Sequence, residues 1–512
     1  SEMCIRDRYY SDGDHGMGGS GIKYDVPVYL PDFTFTDLRD GTQQSIRDVY
    51  SANELTMLFH WDPMQEESAT FMTTVVRRFH TLFSGQGFAV VAILPQGEEY
   101  RRAAESYLAG HEVPWPVVSE YADAEGHRTV LPSSPYPSYQ LVDRSGMVTV
   151  DMFSGASGPD WIFPESDLVD FMAQPLQHTD YLNGICKKIF GNSEYQSTDF
   201  TMDKKFETLQ TATKGKGIDL VLMGDAFTDI DIETGFYKQL MEFAMESFFT
   251  IEPTKSYREY FNVYMVYAVS RDAYIGEYPD HVALGTITDR YHGLSNWLYT
   301  LSDYAFLPIE GVNIPSVSVV VNGINDGVTY MEAPLQPGYA FSGYPPGGRS
   351  ALRWTLLHEF TGHAFGLLGD EYFSLDFAQI PQSEKRRLES YQHDGQFLNL
   401  SLTDDPKSVY WAHLIGHPQY PYVGIHKGGF YYFDGVWKSE STSAMEKRNC
   451  SYFNAICREL LVKRILELSG EGYTFEKFLA KDSDVGRPGS AHSALQSASA
   501  DLPYKHHPPI FR

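Results

Sequence analysis

Two histidines, at 358 and 363, with Glu359 beside the first and Asp370 seven residues after the second, are the side chains best placed for chemistry. They lie in HEFTGHAFGLLGDEY, residues 358–372. Two imidazoles and a third protein ligand make a catalytic zinc site, whose fourth position is left for water. A glutamate next to the first ligand suits the general base for that water. The spacing is one residue longer than the familiar His-Glu-x-x-His. In a regular α-helix each residue turns about 100°, so histidines four apart lie about 40° from each other. Five apart they lie about 140° round the helix, too far for one ion to bridge. A π-type wide turn would absorb the extra residue, and Gly362 would ease it. The bland alternative is an amphipathic helix with two hydrogen-bonded, partly buried histidines. Gly366 and Gly369, where the helix is expected to end, and the Asp370-Glu371 pair that follows favour the metal site. Asp370 is the preferred third ligand because a short side chain suits a tight turn, and Glu371 can then support the ligands from behind.

Such a helix needs a sheet to hold it. Upstream, GIDLVLMGDAFTD (217–229), EYFNVYMVYAVS (259–270) and PSVSVVVNG (315–323) read as strands, followed by a helix at about 350–368. GVTYMEAP (327–334) is a candidate edge strand that would pair with an extended substrate. Residues 22–175 form a separate alternating unit. LTMLFHW (55–61) and FAVVAIL (88–94) are buried-strand runs flanking a helical stretch, and PSYQLVDRSGMVTV (137–150) is two strands joined at Arg144-Ser145-Gly146. Strands alternating with helices predict α/β architecture.

The chain of 512 residues is too long for one core, and 42% apolar content predicts packed domains rather than disorder. A net charge of −27 without a basic run argues against nucleic acid or an anionic membrane as partner. No apolar run is long enough to span a membrane. Four cysteines make no disulfide framework; Cys450 and Cys457 are close enough to pair or to be ordinary buried thiols. The expected layout is a disordered, artefactual start (1–21), the first α/β domain (22–175), a linker (176–205), the second domain (206–480) and an extended tail (481–512). His506-His507 in that tail is a weak metal signal.

Two resemblances add to this reading. PDFTFTDLRDG (31–41), FHWDPMQ (59–65) and YPSYQLVDRSG (136–146) resemble the thioredoxin-like fold of the TlpA and peroxiredoxin type. The resemblance implies a cis Tyr136–Pro137 bond. It does not carry over the activity, because Asp62 and Gln65 stand where that family has its redox cysteines. The region from about 217 to 475 resembles the M64 peptidase family, named for an IgA-cleaving metalloendopeptidase. The matching segments include LVLMGDAFTD (220–229), the His-Glu helix with GDEY, residues 404–445 and YFNAICRELLVKRI (452–465). The HExxGH form is also known in dipeptidyl peptidases of the third type. By position, the M64 resemblance implies His358, His363 and Asp370 as zinc ligands, Glu359 as catalytic acid/base, and Met445 as a methionine turn beneath the zinc. No tyrosine lies two residues past Met445, so the oxyanion stabiliser is open; Tyr372 and Tyr452 are candidates.

The expected fold is α/β, a thioredoxin-like N-terminal domain followed by a metzincin-like zinc-peptidase domain. The expected activity is zinc-dependent endopeptidase action on a protein or peptide, in a secreted or cell-envelope setting with no signal sequence seen. The rivals are an aminopeptidase or other amidohydrolase on the same zinc, and a surface binding protein with weak or no activity. Oligomeric state and natural substrate are not legible.

Overall fold

The computed structural model describes residues 29–122, 137–151, 175–289, 293–296, 300–311, 313–331, 336–345, 348–374, 376–447, 450–487 and 509–511. The chain divides into two compact units, Ser1–Gln196 with Glu233–Phe236, and Ser197–Ile232 with Tyr237–Arg512.

The first unit is built on a seven-stranded sheet. Its centre is the buried pair Leu55–His60 and Phe88–Ile93, which run parallel. Parallel neighbours need a long crossover, supplied here by the helical stretch between Glu66 and Phe83. Ser138–Asp143 lies antiparallel on the other side of Leu55–His60, and Val148–Asp151 antiparallel beyond that. Gly146 makes the intervening turn with φ 85°, and a Cβ there would sit 2.9 Å from the Tyr50 ring. The unit has the thioredoxin-like fold that the sequence implies. The Tyr136–Pro137 bond, residues 1–21 and the His506-His507 pair lie outside the described residues.

At the position of the missing redox pair, Gln65 Nε2 donates to Asp62 Oδ2 at 2.8 Å, and Asp62 Oδ1 accepts from Met64 N at 2.9 Å. Neither side chain can exchange a disulfide. Cys186, Cys450 and Cys457 are buried free thiols, so Cys450 and Cys457 are not bonded to each other. Burial raises the pKa of all three, Cys450 to about 12, which suppresses the reactive thiolate. The protein with Cys4 replaced by Ser is therefore expected to give no reduction of insulin by dithiothreitol above the uncatalysed rate. Turbidity that rises faster than the blank would contradict this.

The stretch 176–205, expected as a linker, instead contains most of the helix Pro175–Phe190. Leu182, Ile185 and Cys186 on it are buried. His178 and Thr179 are buried beside them, so average polarity concealed a packed helix.

The second unit is a mixed seven-stranded sheet. Its valine-rich strands fill the middle: Ile218–Asp225 is parallel to Phe261–Val266 on one side and to Ser316–Asn322 on the other. Tyr339–Tyr344 continues the parallel set, and Gly327–Met331 is added antiparallel to it. Val221, Val317, Val319, Val321 and Phe341 belong to one buried cluster. The outer edge of Gly327–Met331, expected to be open to substrate, is partly taken: Tyr330 and Met331 pair in parallel with Ile510 and Phe511. A row of unpaired amides and carbonyls is a template for any strand, and the chain's own residues 510–511 use it. The His-Glu helix packs over Tyr339–Tyr344, Gly327–Met331 and Ser316–Asn322. Ala364 O accepts from Gly338 N at 2.9 Å, tying this helix to the sheet.

Candidate metal centre

The helix begins as α-helix over Arg349–Thr355 and continues as π-helix over Leu356–Phe365. The widening is thus longer than the single bulge expected from the sequence. Gly366 N donates to Thr361 O, five residues back, at 3.0 Å. All ten residues of the π segment are buried. The wide turns bring the two imidazoles together: His358 Nε2 and His363 Nε2 are 3.1 Å apart.

Close packing explains Gly362. A Cβ there would lie 2.2 Å from Met445 Sδ, so Met445 is seated directly against the helix backbone. The later glycines act differently from expectation. Leu367, with φ 54°, takes the left-handed position that ends the helix. Gly366 and Gly369 are needed for space: a Cβ would meet Leu461 and Gly362 O at 2.8 Å in the first case, and Leu400 at 2.7 Å in the second.

The turn then delivers Asp370. Its Oδ1 lies 3.0 Å from His358 Nε2 and 3.1 Å from His363 Nε2. His358, His363 and Asp370 are the only His/Cys/Asp/Glu group among the described residues with the geometry to hold a metal ion. The outer ring nitrogens decide what faces inward. His358 Nδ1 is 3.0 Å from Ala444 O, and His363 Nδ1 is 2.7 Å from Leu368 O. A carbonyl only accepts, so both Nδ1 atoms carry protons. In the neutral rings both Nε2 lone pairs then point at each other and at a carboxylate oxygen. Three acceptors 3.0–3.1 Å apart, away from water, repel one another unless positive charge sits among them. A proton relieves one of these contacts; a metal ion relieves all three. Asp370 Oδ2 has no hydrogen-bond partner among the described residues, leaving its second oxygen open to the same ion. Burial alone would raise the Asp370 pKa; positive charge and a proton on His363 or His358 would pull it the other way, down to about 2.

Glu359 stands beside this cluster. Its Oε2 accepts from Thr329 Oγ1 at 2.7 Å, and the same hydroxyl also reaches Glu359 O at 3.0 Å. Burial pushes its pKa up to about 8, while His358 pulls in the opposite direction. Gly327 makes room for the carboxyl, since a Cβ there would be 3.0 Å from Oε1.

Glu371 points elsewhere. It accepts from Asn399 Nδ2 at 2.9 Å, from Asn454 Nδ2 at 2.8 and 2.9 Å, and from Cys457 Sγ at 3.3 Å. Its backbone N donates to Met445 O at 2.9 Å, and its carbonyl accepts from Lys438 Nζ at 2.6 Å. It therefore ties the ligand turn to the methionine turn and to the helix Ala455–Leu468. The methionine turn in turn holds His358 through Ala444 O. Of the two tyrosines singled out in the sequence, Tyr452 donates to Glu440 at 3.0–3.1 Å, a structural pairing. Tyr372 lies beside the centre, its ring centroid 6.0 Å from that of His358.

With this geometry in view, the comparisons with known proteins are direct. Residues 206–421 match the family model for IgA Peptidase M64. The second unit carries an M64 peptidase domain. The matched span contains His358, Glu359, His363 and Asp370, and ends before Met445. No curated protein matches the chain. Solved structures that match part of the chain include a thioredoxin-like protein from Bacteroides caccae, 17% identical with TM-score 0.21, over 25% of this chain and 45% of that one. A putative thiol:disulfide interchange protein DsbE from Chlorobium tepidum is 18% identical with TM-score 0.21, over 31% of this chain and 99% of that one. The match over residues 206–421 supports peptidase activity for this domain.

Sequence reading missed several residues that support this centre: Gly327 and Thr329 around Glu359, and Asn399 and Asn454 around Glu371. Gly327 and Thr329 lie in the strand flagged for substrate and Asn454 in the 452–465 segment that carries the M64 resemblance, but none of them had a local mark of its role.

Proposed function

We propose that the M64 domain is a zinc-dependent endopeptidase in which His358, His363 and Asp370 hold the metal and Glu359 is the general base. The observation that carries this reading is the buried triangle of inward-facing acceptor atoms. Its sides of 3.0–3.1 Å approach the edge of a tetrahedron with bonds of about 2.0–2.1 Å, which is about 3.3 Å. Two nitrogens and an oxygen form a zinc-type donor set, leaving one position for water.

When bound, zinc would polarise the scissile carbonyl, lower the pKa of its water, and draw the Glu359 carboxyl down toward its ionised form. The chain's own groups do the rest. Thr329 fixes one oxygen of Glu359 and so orients the carboxylate. Glu359 takes the water proton and passes it to the leaving amine. The carbonyls of Ala444 and Leu368 keep both imidazoles in the tautomer that presents Nε2 inward. A secreted or cell-envelope location and a protein or peptide substrate belong to the same proposal.

The test is metal content of the purified protein together with cleavage of casein, with and without a chelator. Near-stoichiometric zinc and chelator-sensitive internal cleavage are expected; a metal-free protein without proteolysis sinks the reading. Asp370→Ala should lose most bound zinc. Glu371→Ala should weaken zinc binding by about 10–100-fold, as loss of a supporting partner does, and so retain more of it. The opposite ranking would mean that the wrong carboxylate has been assigned.

A further inference from the structure

We propose that Tyr431 is a catalytic residue of this centre, its phenol donating a hydrogen bond to the oxyanion that forms on the scissile carbonyl, with Tyr372 positioning it. This rests on the peptidase reading and supplies the group which that reading lacks. Residues 428–431 form a strained turn. Gly428 and Gly429 have φ 98° and 154°, and Phe430 and Tyr431 follow at 50° and 71°. Two successive bulky residues in the left-handed region are costly, and such strain persists where surrounding contacts enforce it. Here the ligand turn enforces it. Phe430 N donates to Asp370 O at 2.8 Å, Tyr431 N to Tyr372 O at 3.1 Å, and Ser374 N to Tyr431 O at 3.1 Å. The turn is thereby registered against the backbone that carries the metal-binding carboxylate.

The side chains complete the arrangement. The Tyr372 and Tyr431 hydroxyls are hydrogen-bonded to each other, with the rings edge to face at 4.8 Å. Tyr372 is buried, whereas Tyr431 is partly open. Tyr372 in turn lies against His358, with ring centroids 6.0 Å apart, so the pair borders the metal centre. In the arrangement proposed, the Tyr372 hydroxyl donates to Tyr431, and Tyr431 donates in turn to the substrate oxygen as it binds. A donor held in advance where negative charge develops costs no reorganisation in the transition state.

Metal-loaded protein, Tyr431→Phe and Tyr372→Phe are compared for zinc content, thermal midpoint, casein-derived peptide kinetics and inhibition by a phosphinic peptide, which mimics the tetrahedral state. For Tyr431→Phe, kcat is expected to fall about 10²–10³-fold, the loss typical of one oxyanion donor. KM should stay within about twofold, and the phosphinate Ki should rise in step with the loss of kcat/KM. Tyr372→Phe should show a smaller fall of the same kind. A Tyr431→Phe protein with near-normal kcat overturns the proposal, as does one that loses zinc or thermal stability in parallel with activity. If the unaltered zinc-loaded protein cleaves nothing, it is the peptidase reading that fails.

Discussion

Glu359→Gln is expected to keep its metal and lose hydrolysis. The ligand atoms belong to His358, His363 and Asp370, so zinc content should match that of the unaltered protein. The amide keeps the size of the side chain and can still accept from Thr329, whose hydroxyl lies 2.7 Å from Oε2. The substitution removes the proton acceptor, and general acid–base catalysis is worth about 10²–10⁴-fold. Peptide cleavage should fall by about that factor. Stability should hold or rise, because a buried carboxyl whose pKa is pushed to about 8 is costly to ionise. Retention of more than a tenth of the activity would remove Glu359 from the mechanism.

Deleting Thr361 should abolish the centre, although it creates the regular His-Glu-x-x-His spacing. The deletion draws His363 and all that follows back by one residue, about 100° on a helix. Gly362 would leave Met445, against which no Cβ fits. His363 would leave Leu368 O, its 2.7 Å partner. The Leu367 turn and Asp370 would move with it. Zinc binding and casein cleavage should both drop to background. Thr361→Ala is the control: the Thr361 hydroxyl is buried without a hydrogen-bond partner among the described residues, so its loss should leave zinc and activity in place. A deletion mutant with normal zinc content would show that the helix can relax to ordinary spacing and that the π segment is incidental.

The legible parts of this protein were those with local signatures. Apolar runs gave the inner strands because a strand buried on both faces excludes polar residues. The misfit in HEFTGH was itself a signal, since only a widened helix reconciles five-residue spacing with a shared ion. The length of that widening was not legible: the five-residue spacing calls for one extra residue, whereas the π segment runs over ten, Leu356–Phe365. Glu371 and Asp370 are adjacent carboxylates, and only a preference for the shorter side chain separated them. Their division of labour depends on Asn399, Asn454 and Cys457, distant in sequence. Tyr431 was invisible for the same reason. A tyrosine in GGFYY has no local mark, and its position comes from hydrogen bonds to residues 370–374. The helix Pro175–Phe190 was lost to average polarity, to which even buried residues such as His178 and Thr179 contribute.

The anchoring of His358 by Ala444 has a consequence for the order of events during synthesis. The two residues are 86 apart in sequence, Glu371 and Asn454 are 83 apart, and Glu371 and Cys457 are 86 apart. Chains emerge N-terminus first and fold as they emerge. A nascent chain that already displays the whole of HEFTGHAFGLLGDEY therefore lacks the carbonyl that sets one imidazole and the amide that holds the ligand turn. Competence arrives only when residues as late as 457 have left the ribosome and folded back. A product that terminates before residue 444 would carry the whole motif while lacking both the carbonyl that sets His358 and the amide that holds Glu371.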